Sequence, residues 1–154
     1  RVRQISHDLH PSILHFSTLA SALESLCQSH SGPPRVTFVG CADTEDALTR
    51  DQKINLFRIT QEALHNVVRH AQAKSATVSF CSDGHVAVLR ISDDGVGLPR
   101  RTRHGRGLGL GVITMEERTR LLRGVLVLGE APEGGTCVEV RMPLDERVFL
   151  GVED

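Results

Sequence analysis

A chain of 154 residues is long enough for one ordinary domain with a buried core. Its 40% hydrophobic and 24% charged content is that of a folded globular protein, and a net charge of -1 gives no electrostatic pull on nucleic acid. Five Phe with no Trp or Tyr also leave few stacking platforms, so nucleic acid is not an expected partner. No apolar run approaches the roughly 20 residues that cross a membrane, and no signal-peptide pattern is present. The chain opens on RVRQISHDLHP with no initiating Met, which reads as a piece of a longer protein.

In chain order, residues 1–10 read as the end of a helix stopped by Pro11. From Ser12 to Ser29 the apolar positions Ile13, Phe16, Leu19, Ala20, Leu23, Leu26 and Cys27 recur at threes and fours, a helical stripe that Ser31-Gly32-Pro33-Pro34 breaks. Arg35 to Cys41 alternates and is β-branched, which predicts a strand. Thr49 to Ala71 is the longest expected helix, with Asp51 a favourable charge in its first turn. Ser75–Cys81 and His85–Ser92 are expected strands joined by a turn at Ser82-Asp83-Gly84. Pro99 to Gly111 is basic and glycine-rich and is expected to be mobile. A helix over ITMEERTRLLRG ends near Gly124, and GVLVLGE and TCVEVRMP are strands around the turn APEGG. Hairpin-linked strand pairs rather than βαβ alternation predict a two-layer α/β sandwich, a mixed sheet with helices on one face. Cys27, Cys41, Cys81 and Cys137 lie far apart without metal-ligand spacing, so four free thiols are expected.

Four stretches can carry chemistry, and each has a plainer reading. In ITQEALHNVVRHAQA, Glu62 and Asn66 stand one turn apart, with Arg69 and His70 a turn further on nearly the same face. That set suits a Mg²⁺–phosphate group, or is simply a solvated helix face. In ISDDGVGLP, Asp93 ends a strand where its carboxylate could accept from an exocyclic amine such as adenine's. Gly95 and Gly97 could admit a flat base, with Asp94 as the exposed turn member, or the whole could be a hairpin turn. In HGRGLGLGVITMEER, alternating glycines feed a helix N-terminus, as a phosphate cradle or as a linker. In EGGTCVEV, Gly134-Gly135-Thr136 opens the last strand, as a pocket edge or a turn.

Taken in this order, the four stretches resemble the ATP-binding domain shared by histidine kinases, type II topoisomerases, HSP90 and MutL, the GHKL superfamily with its Bergerat-type fold. The class that fits most closely is that of NarL/DesK-associated sensor histidine kinases. QEALHNVVRHAQAK is similar to its N box, DDGVG to its first glycine box, GLGLGVITMEER to the second and GGT to the last. RQISHDLHPSILHFSTLASALESLC resembles the end of the dimerisation hairpin and its connector.

The resemblance implies an ATP- and Mg²⁺-dependent protein-histidine kinase. Asn66 would be the Mg²⁺ ligand, and Glu62 the carboxylate near the γ-phosphate that polarises the nucleophile. Arg69 and His70 would contact phosphates, Asp93 would take the adenine amine, and Gly95 and Gly97 would lie by the base. Gly107, Leu108, Gly109, Leu110 and Gly111 would form the lid hinge, and Thr136 would finish the pocket. Residues 1–30 would be dimerisation helix and connector, 31–146 the catalytic domain and 147–154 a tail. Homodimerisation of the full-length parent and a response-regulator receiver domain would follow as partners. A cytoplasmic domain is expected, with a membrane anchor in the parent left open.

A serine kinase or ATPase of the same fold, or a nucleotide-binding module without turnover, are the alternatives. His7 and His10 are not the expected phosphoacceptors: Pro11 would break the helix presenting His10, no glutamine of the class pattern follows His7-Asp8, and both lie close to the nucleotide domain. One departure from the class is Arg123, which stands where a glycine is common before Gly124.

Overall fold

The structure, a computed structural model, describes residues 18–41, 48–82, 85–98 and 109–144. His7, His10, Gly107 and Leu108, the turn residues Asp83 and Gly84, and the tail from 145 onward lie outside the described residues.

Helix α1 (Leu19–Ser29) starts at Thr18, whose hydroxyl accepts from the Ser21 amide at 3.1 Å. Its inward stripe is Leu19, Ala22, Leu23 and Cys27. These residues join the same core as the sheet, although the sequence groups them with the connector. Burial, with Glu24 nearby, pushes the Cys27 thiol up to about 11, so it packs as a small apolar group.

Strand β1 (Arg35–Gly40) follows, then helix α2 (Arg50–Asn66). Thr49 caps α2 in a reciprocal box: its hydroxyl accepts from Gln52 N at 3.2 Å, and the Gln52 side chain accepts from Thr49 N at 2.8 Å. T-x-x-Q is a readable signature, and it starts the helix more firmly than the Asp51 charge does. Instead of running regularly to Ala71, the helix opens into a π turn over Val67–Ala71 and stops at Gln72, whose φ is +50°.

β2 (Ser75–Ser82) and β3 (Val86–Asp93) pair antiparallel, β4 (Val125–Glu130) and β5 (Thr136–Pro143) likewise, and helix α3 (Leu110–Leu121) lies between the two pairs. The sheet order is β1-β2-β3-β5-β4, with β1 parallel to β2 and the remaining pairs antiparallel. Alternation gives the sheet two unlike faces. Ala76, Val78 and Phe80, Ala87, Leu89 and Ile91, and Val138, Val140 and Met142 are buried on one side. The register aligns Val78, Ile91 and Val138 across three strands. Leu56, Phe57 and Ile59 of α2 complete that layer, each fully buried and each stabilising by about 1.5–3 kcal/mol. The opposite face is mixed: Val125 and Val127 are exposed beside Arg141 and Glu139. Glu139 takes Arg141 at 2.6 Å and Arg90 at 2.6 Å, two guanidinium hydrogen bonds that hold its carboxyl below the usual range. The mixed sheet with helices on one face is the architecture read from the sequence.

Cys41 and Cys81 are disulfide-bonded, which corrects the expectation of four free thiols. The parallel register sets Gly40 opposite Phe80, so the next residue of each strand stands side by side with Cα atoms 5.1 Å apart. Cys27 and Cys137 remain free.

Helix α3 closes in a Schellman motif, with Gly124 N bonded to Thr119 O at 3.0 Å and Arg123 N to Arg120 O at 2.9 Å. The left-handed residue is Arg123, with φ +56°. Gly124 is required for a different reason: a Cβ there would run into the Arg141 carbonyl. Arg123→Gly relieves a left-handed cost of about 1–2 kcal/mol, partly offset by the freer unfolded chain, so a net gain of about 0.5 kcal/mol is expected from denaturant midpoints. Among the described residues, no helix is long and apolar enough to cross a membrane.

Candidate nucleotide site

The buried stripe of β3 runs Ala87, Leu89, Ile91 and then Asp93, so the strand's own alternation drives a carboxylate into the layer beneath the helices. Asp93 is 3% exposed. Its Oδ1 accepts from Gly95 N at 2.8 Å and from Thr136 N at 3.3 Å, and its Oδ2 accepts from no group among the described residues. Gly135 makes this seat possible, because a Cβ there would overlap both the main-chain and side-chain oxygens of Asp93. The second glycine of Gly-Gly-Thr is thus fixed by close packing; the left-handed turn residue is Gly134, with φ +97°.

Asp93 lies on the wall of a cavity of about 440 Å³ between the sheet, the end of α2 and the start of α3. Ile91, Val112, Met115, Leu128 and Val138 give it apolar walls. Asn66, His70, Gly97, Gly109, Gly111 and Thr136 supply its polar and glycine positions. Met115 and Leu128 carry no sequence signal beyond being apolar, and only the folded packing brings them here.

Not every candidate from the sequence reaches the cavity. Asn66 and His70 line it, but Arg69 is exposed and its guanidinium lies 3.4 Å from the His65 ring, outside the wall. The reason is the π turn, whose i→i+5 winding turns His70 under Asn66 and swings Arg69 away. In regular α winding the two would flank Asn66 about equally. Glu62 is also outside the lining; its carboxylate lies against Gly111, where any Cβ would overlap it. Leu110 points to solvent at 82% exposure. Gly95 is in the loop but packs on Ala71, whose carbonyl a Cβ would strike. Gly97 has φ +79° and does line the cavity.

Asp94, read as an exposed turn residue, has a definite task. Its Oδ1 accepts from Lys74 N at 2.8 Å and Ser75 N at 3.0 Å, and its Oδ2 from Ser75 Oγ at 2.9 Å. The Ser75 bonds, and then that of Lys74, hold its carboxyl below the ordinary 3.8. A depressed carboxylate stabilises fully above its unfolded-chain value, and this contribution fades only as pH falls below 3.8 through the folded value.

At the start of α3, Gly109 occupies the N-cap and offers no side-chain acceptor. Val112 N donates to Gly109 O at 3.1 Å, and the amides of Leu110 and Gly111, which have no partner among the described residues, could meet an anion. Among the described residues no group of three or more His, Cys, Asp or Glu side chains could hold a metal ion by itself.

Residues 51–146 match the family of histidine kinase-, DNA gyrase B-, and HSP90-like ATPases. The chain belongs to that family. It is 35% identical over 145 residues to the sensor histidine kinase MctS of Rhizobium johnstonii, covering 92% of this chain and 31% of that protein. To the histidine-protein kinase/phosphatase UhpB of Salmonella typhimurium it is 36% identical over 144 residues, covering 92% of this chain and 28% of that one. The chain thus spans less than a third of the length of either relative.

The fold matches the histidine kinase domain of the blue-light activated histidine kinase of Erythrobacter litoralis, with TM-score 0.66 and 22% identity over 86% of this chain and 64% of that one. It also matches the ATP-binding domain of PrrB from Mycobacterium tuberculosis, with TM-score 0.64 and 21% identity, over 84% and 96% of the two chains. The family is therefore that of the histidine kinase-, DNA gyrase B-, and HSP90-like ATPases that the motifs resemble, and the fold is one shared with the ATP-binding domains of histidine kinases.

Proposed function

We propose that this domain binds ATP and passes its γ-phosphoryl group to a histidine outside these residues, as the catalytic part of a sensor histidine kinase. The observation that carries the reading is Asp93: a buried carboxylate with one oxygen held by two main-chain amides and the other, at the wall of a largely apolar cavity, without a partner among the described residues. A carboxylate oxygen at a largely apolar wall suits a ligand with an N–H donor on a flat apolar ring, which adenine's exocyclic amine would supply. A cavity of about 440 Å³ suits such a base, with Gly97 close beside it.

The triphosphate would extend toward Asn66, His70 and the uncapped start of α3. Asn66 offers an amide oxygen, which fits Mg²⁺ because that ion takes few protein ligands and otherwise holds water and phosphate oxygens. Bound magnesium would neutralise charge on those oxygens. Glu62, whose carboxylate lies against Gly111 at the start of α3, would polarise the incoming imidazole. In the transfer, the imidazole nitrogen forms a bond to the γ-phosphorus as the bond to the ADP oxygen breaks, and the protein's part is alignment and charge neutralisation.

In the whole protein, residues 1–30 would belong to the dimerisation helix and its connector, 31–146 to the catalytic domain and 147–154 to a tail. Homodimerisation and onward transfer to a receiver domain would follow, in a cytoplasmic setting.

Calorimetric titration of MgATP into this chain tests the reading directly; a folded chain that takes up no nucleotide overturns it. Asn66→Ala is expected to weaken MgATP by about tenfold while leaving metal-free ATP unchanged, since only the metal-bound form uses that oxygen.

A further inference from the structure

We propose that Asp94, which faces away from the cavity, is a positioning residue of the nucleotide site. It latches the Gly95–Gly97 loop to the start of β2 and so aims Asp93. The inference rests on the ATP reading above and deepens it.

Successive side chains of a strand point to opposite faces. Asp93 and Asp94 are neighbours at the end of β3, so holding one fixes the rotation of the other. Asp94 is held at four points: three bonds to its carboxylate from Lys74 and Ser75, and its own N–H donated to Ser75 O at 3.2 Å. The last regular pair of the β2–β3 ladder is Ala76 with Asp93, so these bonds close the sheet one step beyond it.

The same short connection ends the π turn that carries His70 into the cavity. Val96 N donates to Ala71 O at 2.8 Å, and Gly95 lies flat on that carbonyl. Lys74 O in turn accepts from Arg35 N at 2.9 Å, which ties the connection to β1. Asp94 therefore joins the two walls of the site, the loop holding Asp93 and Gly97 and the helix end holding Asn66 and His70, without touching what lies between them. Three acceptances by one carboxylate are more than a turn residue needs.

The test compares wild type, Asp94→Ala and Asp94→Asn for MgATP affinity by calorimetry, with amide exchange at Val96 as a second readout. Asp94→Ala is expected to bind about five- to tenfold more weakly, with faster exchange at Val96 and unchanged protection at Leu89 in mid-strand. Asparagine keeps one acceptor oxygen for the two amides, so Asp94→Asn is expected to recover to within about threefold of wild type. A folded Asp94→Ala that binds like wild type overturns the positioning role, whatever Val96 does. Should that variant fail to fold, Ser75→Ala removes a single donor and is expected to weaken binding by about twofold; unchanged affinity there overturns the proposal equally. A wild-type chain that binds no nucleotide overturns the ATP reading and this role with it, whereas a binding wild type with an unaffected Asp94→Ala overturns this role alone.

Discussion

Asp93→Asn is expected to bind ATP at least about tenfold more weakly, a cost of about 1.5–3 kcal/mol, with its thermal midpoint close to wild type. The two halves of the carboxylate explain both results. Oδ1 accepts from Gly95 N and Thr136 N, and an asparagine oxygen can take over both bonds, so the loop stays seated. Oδ2 would become an NH₂ group facing the cavity, where a donor would meet the donor of adenine. Inosine triphosphate, which presents an oxygen at that ring position, serves as the control. It should lose nothing in the variant, and calorimetry of both nucleotides reads the difference. An equal loss of both would mean that the cavity has been disturbed, and no loss of either would take Asp93 out of base recognition.

Cys41→Ser with Cys81→Ser is expected to cost about 4 kcal/mol of unfolding free energy in non-reducing buffer. The bond closes a loop across a sequence separation of 40, and chain entropy sets the size of the effect. The sheet end that it holds lies opposite Asp93, because β1 and β2 run parallel with Ala76 facing Asp93 and Cys81 at the far end. Nucleotide affinity should therefore be unchanged. Urea melts with and without reductant provide the measurement: the wild type should drop to the variant's midpoint when reduced, and the variant should not respond. A wild type indifferent to reductant would show that the pair adds nothing to stability in solution.

The legible and illegible parts of this molecule differ in kind. Alternation along β2, β3 and β5 could be read because every second residue meets the same environment, and the inward aim of Asp93 follows from that count. The spacing of Glu62 and Asn66 was legible for the same reason. What the sequence could not supply was anything decided by backbone winding or by strand register. Val67–Ala71 contains no residue that announces a π turn, yet that turn decides that His70, and not Arg69, lines the cavity. Gly95 and Gly135 stood out as glycines, but their partners, Ala71 and Asp93, are set by tertiary approach. Cys41 and Cys81 are far apart until the parallel register of β1 and β2 is known. Arg123 adopts the conformation that glycine usually takes, because the helix end is held by its own carbonyls and the chain must turn there whatever the side chain.

The π turn also bears on how this helix can be compared with others. A turn closed by i→i+5 bonds holds one residue more than an α turn, so Val67–Ala71 is in effect a one-residue insertion. Removing one residue there would restore regular winding and rotate everything after it by about 100°, while everything before it kept its place. A chain of regular α winding, matched to this one without a gap across the stretch, would have His70 equated with a side chain that faces elsewhere. Counting from Asn66 is safe toward the N-terminus, where Glu62 keeps its phase. Toward the C-terminus, the count must first establish which kind of turn it crosses.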